Sequence, residues 1–251
     1  MQKHKKFSNP CVPGRKPVGE LIQNRPEKID VVYFQHHQGG PLARLVNLCQ
    51  QNRIRYKFLN RDELNRIYNG NHQGVIARVS AKENIPLPRI LATARKAYLP
   101  VLLALDQVQD PGNVGTLART ALALGTGGII LPKDRSAYLG AGAYRASAGA
   151  IEQINISRVT NLARALDEAR NCGFQVYAAR YASDAENIFH FKIRFPAILV
   201  LGNEEKGIRP NVLKRCHKSL YVPMPGGFES LNVAQAGAIM LGQFLRYTFS
   251  S

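Results

Sequence analysis

From Val101 onward, short apolar runs alternate with helical segments, and this rhythm restricts the fold more than any other feature of the chain. VLLAL, GIIL, FQVYAA, AILVLG and SLYV are separated by segments such as NVGTLARTALAL, TNLARALDEARN and RPNVLKRC. Apolar runs without an in–out alternation must be covered on both faces, which predicts parallel strands sandwiched between helices. A shorter series precedes them: VVYF, PLARLVNLCQQNR, IRYKFL, RDELNRIY and GVIARV read as strand, helix, strand, helix, strand, closing near Ser80. Between the two series, AKENIPLPRILATARKAYLP carries prolines at 86, 88 and 100 and reads as a linker with one basic helical turn or more. The expected organisation is a basic arm over residues 1–13, a small α/β domain over 14–80, a linker over 81–97 and a larger parallel α/β domain over 98–251.

Charge narrows the choice of partner. The 34 Lys and Arg residues against 17 Asp and Glu give a formal charge of +17, which suits a polyanion. No run approaches the roughly 18 apolar residues of a membrane span, and the basic start MQKHKKFSNPCVPGRK lacks an apolar signal core. RNA or DNA is therefore expected, and a membrane is not. Cys11, Cys49, Cys172 and Cys216 are scattered without a CxxC, so they signal neither zinc nor disulfides, and the cytoplasm is the expected compartment. There is no HExxH, and the adjacent His36 and His37 read as surface; no metal is expected.

An α/β domain invites the dinucleotide test, and the chain fails it. The glycines at 112 and 115 after VLLAL do not fit G-x-G-x-x-G, and no Walker sequence occurs. Polar and glycine-rich residues instead concentrate where three apolar runs end: DPGNVGTLART, GNEEKGIRP and PMPGGFESLN. In a parallel sheet those carboxyl ends gather on one side, so the loops are expected to build one crevice. The last of them leads straight into a helical pattern, which leaves Ser230 and Asn232 open to two readings, as helix caps or as ligand-holding groups.

These stretches resemble the SpoU/TrmH-type RNA 2′-O-methyltransferases of the SPOUT superfamily. LDQVQDPGNVGTLARTALALG is similar to the first motif of that family, LVLGNEEKGI to the second and VPMPGGFESLNVAQA to the third. DRSAYLGAGAYRASAGAIEQINISRVTNLA is similar to the matching stretch of bacterial enzymes that methylate a guanosine ribose in large-subunit ribosomal RNA. PGRKPVGELI and NHQGVIA resemble the two ends of their small L30e-like RNA-binding domain, so the likeness runs from about Gly14 to the end.

The resemblance implies an S-adenosylmethionine enzyme whose carboxyl-terminal domain holds a deep trefoil knot and pairs into a homodimer. It implies cofactor contacts at Gly202, Val222 and Leu231, with Leu201, Asn203 and Met224 nearby, and catalytic roles for Arg119, Asn113, Glu204, Ser230 and Asn232. Relatives propose the arginine as a base. A guanidinium holds its proton tightly, so gripping the phosphate beside the target ribose suits Arg119 better. Asn113 and Asn232 would then position the ribose or Arg119, with Glu204 orienting them. In the small domain Arg15, His72 and Gln73 are implied as RNA contacts. The chain departs from many relatives in having GNEEKG for G-S-E-G-x-G, which puts Asn203 for Ser and Glu205 for Gly, and SLNVAQA for SLNVSVA. A glycine that needs positive φ is not freely replaced, so this departure bears on the backbone geometry of the loop; Glu205 is expected only to decorate the loop surface. A tRNA-directed or resistance-type methyltransferase of the same family, and a non-catalytic RNA-binding assembly factor, remain the competing readings.

Overall fold

The computed structural model describes residues 11–36, 40–80, 84–227 and 230–249. Two sheets organise the chain. The smaller is built from β1 (Cys11–Pro13), β2 (Ile29–Gln35), β3 (Tyr56–Leu59) and β4 (Val75–Val79), in the order β1-β4-β2-β3. Helices α1 (Arg15–Asn24), α2 (Pro41–Gln51) and α3 (Arg61–Ile67) cover it. Asn60 starts α3 with a capping box: its side chain accepts from the Glu63 backbone N–H while the Glu63 carboxylate accepts from the Asn60 N–H.

The expected arm reaches too far. Cys11–Pro13 is a strand whose residues pair antiparallel with Arg78, Ala77 and Ile76 of β4, and Arg15 already begins α1. Residues 1–10 lie outside the described residues.

The larger sheet contains β5 (Leu99–Asp106), β6 (Thr126–Pro132), β7 (Ile156–Val159), β8 (Gln175–Ala179), β9 (Glu186–Asn187), β10 (Ala197–Gly202) and β11 (Lys218–Tyr221). Their order is β7-β6-β5-β10-β8-β11-β9, and every pairing is parallel. Alternate residues serve opposite faces. Val101, Leu103 and Leu105 of β5 and Leu199 and Leu201 of β10 enter one core, while Leu102, Ala104, Ile198 and Val200 enter the other. Because both faces are buried, the strands read as unbroken apolar runs. On the first face lie α5 (Pro111–Ala123), α6 (Ala141–Ser147), α7 (Ala150–Gln153) and α10 (Val233–Arg246); on the second lie α4 (Leu87–Arg95), α8 (Leu162–Asn171) and α9 (Pro210–Leu213). The first core continues into Val12, Val18 and Ile22 of the smaller unit, which meets the larger one where β1 packs on α6.

The expected linker is largely a structural element. Ile90, Leu91 and Ala94 of α4 are buried in the second core, and Ile85 N–H donates to Ile156 O at 2.9 Å. Pro86 and Pro88 flank the first helical residue, where a missing N–H costs nothing, so they start this helix where a sequence reading takes them to break it.

Candidate active site

The chain runs outward from β5 to β6 and β7, returns to β8, and later inserts β10 between β5 and β8. Ligands of open parallel sheets bind at such a reversal, outside the carboxyl ends of the strands. Here the loops after β5, β10 and β11 meet.

Asp110 caps α5 by accepting from Gly112 N–H at 2.8 Å, which fixes the first turn and presents Asn113. Asn113 Nδ2 donates to Glu204 Oε1 at 2.5 Å, and Asn113 Oδ1 accepts from Asn232 Nδ2 at 3.0 Å. Asn232 also caps α10, its Oδ1 accepting from Ala234 N–H at 2.9 Å and from Gln235 N–H at 3.4 Å. The amide oxygen thus caps the helix while the amide nitrogen reaches Asn113. α10 comes close enough to do this because Gly237 lacks a Cβ, which would otherwise stand 2.5 Å from Leu117 of α5 and 2.9 Å from Leu201.

The loop after β10 is held by its own residues. Asn203 N–H donates to Gly207 O at 3.1 Å and Gly207 N–H returns to Asn203 O at 2.9 Å. Asn203 Oδ1 accepts from the backbone N–H groups of Glu205 and Lys206, and its Nδ2 donates to Gln107 O at 3.1 Å. Gly202 lies so close to this turn that a Cβ would meet Gly207 C at 2.4 Å. Positive φ within the turn falls at Gly207, at 64°; Glu205 avoids it and is exposed.

Val222, Met224, Ser230 and Leu231 line an open pocket with Tyr181, Tyr221 and Met240. Tyr181 and Tyr221 meet edge to face with ring centroids 5.3 Å apart. The segment bearing Tyr181 is braced by Arg180, which donates to Ser219 Oγ at 2.8 Å and grips both oxygens of Asp184 at 2.6 and 2.8 Å. This mostly apolar recess, with aromatic edges and a few polar groups, fits the adenosine part of S-adenosylmethionine. Leu201 is buried in the core, which leaves only its backbone to face a ligand.

Arg119 stands apart from the relay. It is exposed on α5, six residues beyond Asn113, which by helical geometry places it about 120° around the axis and ~9 Å further along. Its side chain makes no hydrogen bond or ion pair with another described residue. Of the three implied RNA contacts, Arg15 and Gln73 are exposed and joined: Gln73 Oε1 accepts from Arg15 N–H, and Gln73 O from Arg15 Nε, both at 3.1 Å. His72 is 5% exposed; its Nδ1 accepts from Gly74 N–H at 3.0 Å and its Nε2 lies 3.1 Å from Asn65 Oδ1. Burial, then the nearby Arg61, lowers its pKa, so the ring is neutral and holds the turn before β4.

Sequence reasoning passed over one clamp. Asp106, fully buried at the end of β5, accepts from Arg209 N–H and from Arg209 Nε, each at 2.8 Å, and so locks the first loop to the second. An acid closing an apolar strand was the available signal. Burial pushes the thiol of Cys49 up to about 11 and that of Cys216 up to about 12, so both stay protonated at neutral pH. Among the described residues no three His, Cys, Asp or Glu side chains gather as a metal site, and no helix is long and apolar enough to cross a membrane.

Residues 100–242 match the SpoU rRNA Methylase family, and residues 11–85 match the RNA 2′-O ribose methyltransferase substrate binding family. The chain belongs to the SpoU rRNA methylase family. The 23S rRNA (guanosine-2′-O-)-methyltransferase RlmB of Haemophilus influenzae is 35% identical over 240 residues, covering 93% of this chain and 96% of that enzyme. RlmB of Pseudomonas aeruginosa is 35% identical over 234 residues, or 91% and 93% of the two chains. Among solved structures, the SpoU methyltransferase AviRb from Streptomyces viridochromogenes in complex with the cofactor AdoMet superposes with a TM-score of 0.79 at 22% identity, covering 96% of this chain and 91% of that one. This SpoU methylase thus shares its fold with an enzyme whose cofactor is AdoMet.

Proposed function

We propose that this SpoU methylase transfers a methyl group from S-adenosylmethionine to the ribose 2′-hydroxyl of a guanosine in 23S rRNA. The observation that carries the reading is the convergence of Asn113, Glu204 and Asn232, one from each family motif, beside the pocket lined by Val222, Met224 and Leu231. The identity of 35% to RlmB enzymes over more than nine-tenths of both chains supports guanosine as the target.

When bound, S-adenosylmethionine supplies an electrophilic methyl group, so the chain has only to hold the ribose in line and manage one proton. Alignment of this kind contributes roughly 7–11 kcal/mol where geometry is good. The relay fixes the amide of Asn113 between Glu204 and Asn232, and this rigid polar wall orients the ribose. Arg119, exposed and uncommitted among the described residues, grips the adjoining phosphate. Ser230 completes the wall from the pocket side. Backbone of Leu201, Gly202 and Asn203 borders the cofactor, while Arg15 and Gln73 form an exposed RNA contact in the small unit.

The family resemblance further supports an L30e-like small domain, a trefoil knot in the larger one, homodimerisation through the knotted domain and a cytoplasmic location. The boundary between the two domains falls between Ser80 and Asn84. Mapping of 2′-O-methyl groups in ribosomal and transfer RNA, with and without the gene, tests the reading. Loss of one guanosine mark in 23S rRNA is expected; an unchanged 23S rRNA with a lost tRNA mark overturns the target.

A further inference from the structure

The segment between β6 and α6 carries an aromatic ring that neither the cores nor the methyl-transfer site employs. Tyr138 is 62% exposed. Its ring is seated on the bare backbone of Gly140, where a Cβ would come within 2.3 Å of the ring carbon Cε1. The segment itself is anchored. Ala137 N–H donates to Val108 O at 3.0 Å, and Ser136 Oγ donates to Pro132 O at 2.7 Å. On its far side Gly142 lies against Pro111, a Cβ there falling 3.2 Å from the proline's own Cβ. Val108 and Pro111 bracket the turn into α5, and Asn113 follows two residues later. Tyr138 therefore stands on the rim of the loop that presents the relay.

A single exposed tyrosine is ordinary; its surroundings are not. Lys133, Arg135 and Arg145 are exposed on either side of it in the chain, against one acid, Asp134, in the same stretch. Arg158 of β7, half-buried, lies near Tyr138. An aromatic face held in place within a cationic rim is what takes an unpaired nucleobase, the ring stacking on the base while the cations meet neighbouring phosphates. An apolar protein partner would require a contiguous apolar patch, which this rim does not provide.

We propose that Tyr138 is a stacking platform for an unpaired base of the RNA substrate, adjoining the ribose presented to Asn113, Glu204 and Asn232. The inference rests on the RNA methyltransferase reading above. As a positioning residue, Tyr138 acts on RNA and leaves the cofactor pocket alone.

The test uses the full chain and in vitro transcribed, unmodified 23S rRNA, with filter binding at several salt concentrations and transfer of a labelled methyl group. Tyr138→Ala is expected to weaken RNA binding about tenfold, as loss of one base stack does. The slope of log affinity against log salt should not change, because no phosphate contact is lost. Tyr138→Phe should stay within about twofold of the parent, since the ring face is kept. Gly140→Ala, which pushes the intact ring off its seat, should weaken binding as Tyr138→Ala does. S-adenosylmethionine affinity by calorimetry should be that of the parent in all three. RNA affinity within twofold of the parent for Tyr138→Ala, a reduced salt slope, or a Phe variant as weak as the Ala variant each overturns the platform. A parent that neither binds nor methylates 23S rRNA removes the underlying reading along with it, an outcome distinct from an active parent indifferent to Tyr138.

Discussion

Asn232 does two jobs with two ends of one amide, and Asn232→Asp separates them. The Asp side chain keeps an oxygen for the N–H groups of Ala234 and Gln235, now with a negative charge at a helix N-terminus, which contributes about 0.3–1 kcal/mol. It loses the donor that reaches Asn113. Asn113 has one donating and one accepting end, and at present they face Glu204 and Asn232 respectively. Between two carboxylates its amide satisfies only one of them, so the relay must break at one junction. The expected result is a melting temperature within a degree or two of the parent's and single-turnover methylation reduced about a hundredfold through misplacement of the ribose. Asn232→Ala removes the cap as well, costing about 1 kcal/mol, or about 2–4 °C for a chain of this size. Thermal denaturation and rapid-quench methylation of 23S rRNA, with calorimetry to check cofactor binding, give the three readouts. Parental turnover in Asn232→Asp would refute the relay as the positioning device.

Arg119→Lys and Arg119→Ala should both nearly abolish methylation while binding cofactor normally, because a lysine lacks the planar fork that grips phosphate; strong pH-dependent turnover in the Lys variant would instead make this residue a base. Glu205→Gly should change cofactor affinity by less than about tenfold, or ~1.4 kcal/mol, since the turn is held by Asn203 and Gly207; calorimetry reads it. His72 is neutral when folded, with its pKa lowered from 6.5, so the folded chain binds fewer protons than the unfolded one just below that value. Its contribution is complete above about pH 6.5 and shrinks as pH falls toward the lowered folded value, so melting temperature should decline with acid more steeply in the parent than in His72→Gln. A fragment starting at Asn84 should be more stable in urea than one starting at Tyr98 by about 3–6 kcal/mol, the burial of Ile90 and Leu91 at ~1.5–3 kcal/mol each; equal midpoints would return α4 to the status of a linker.

The strands of the larger sheet were legible because burial on both faces imposes unbroken apolar runs, and that pressure acts on local sequence. β5, β6, β8, β10 and β11 fall on the runs that suggested them. β1 was not legible: three residues ending in Pro13 carry no period, and they become a strand only because β4 offers an edge. α4 was misread for a related reason, since prolines at a helix start resemble prolines in a linker until Ile90 and Leu91 are seen to be buried.

The candidate site divides in the same way. Polar residues gathered where three apolar runs end, together with the resemblance of those stretches to three family motifs, singled out Asn113, Glu204 and Asn232. Which of them touch is not a local property. Asn113 and Asn232 are 119 residues apart and Asn113 and Glu204 are 91 apart, and their contact depends on β10 entering the sheet beside β5 and on α10 closing against α5 at Gly237. The same holds for His72, whose place beside Arg15 and Gln73 invited a surface role until the fold buried its ring against Asn65 and Gly74. Sequence by itself determined which segments needed burial and which side chains were chemically able. Only tertiary structure decided which of those side chains share a hydrogen bond, because strand order and helix docking are set by the packing of segments that periodicity treats as independent.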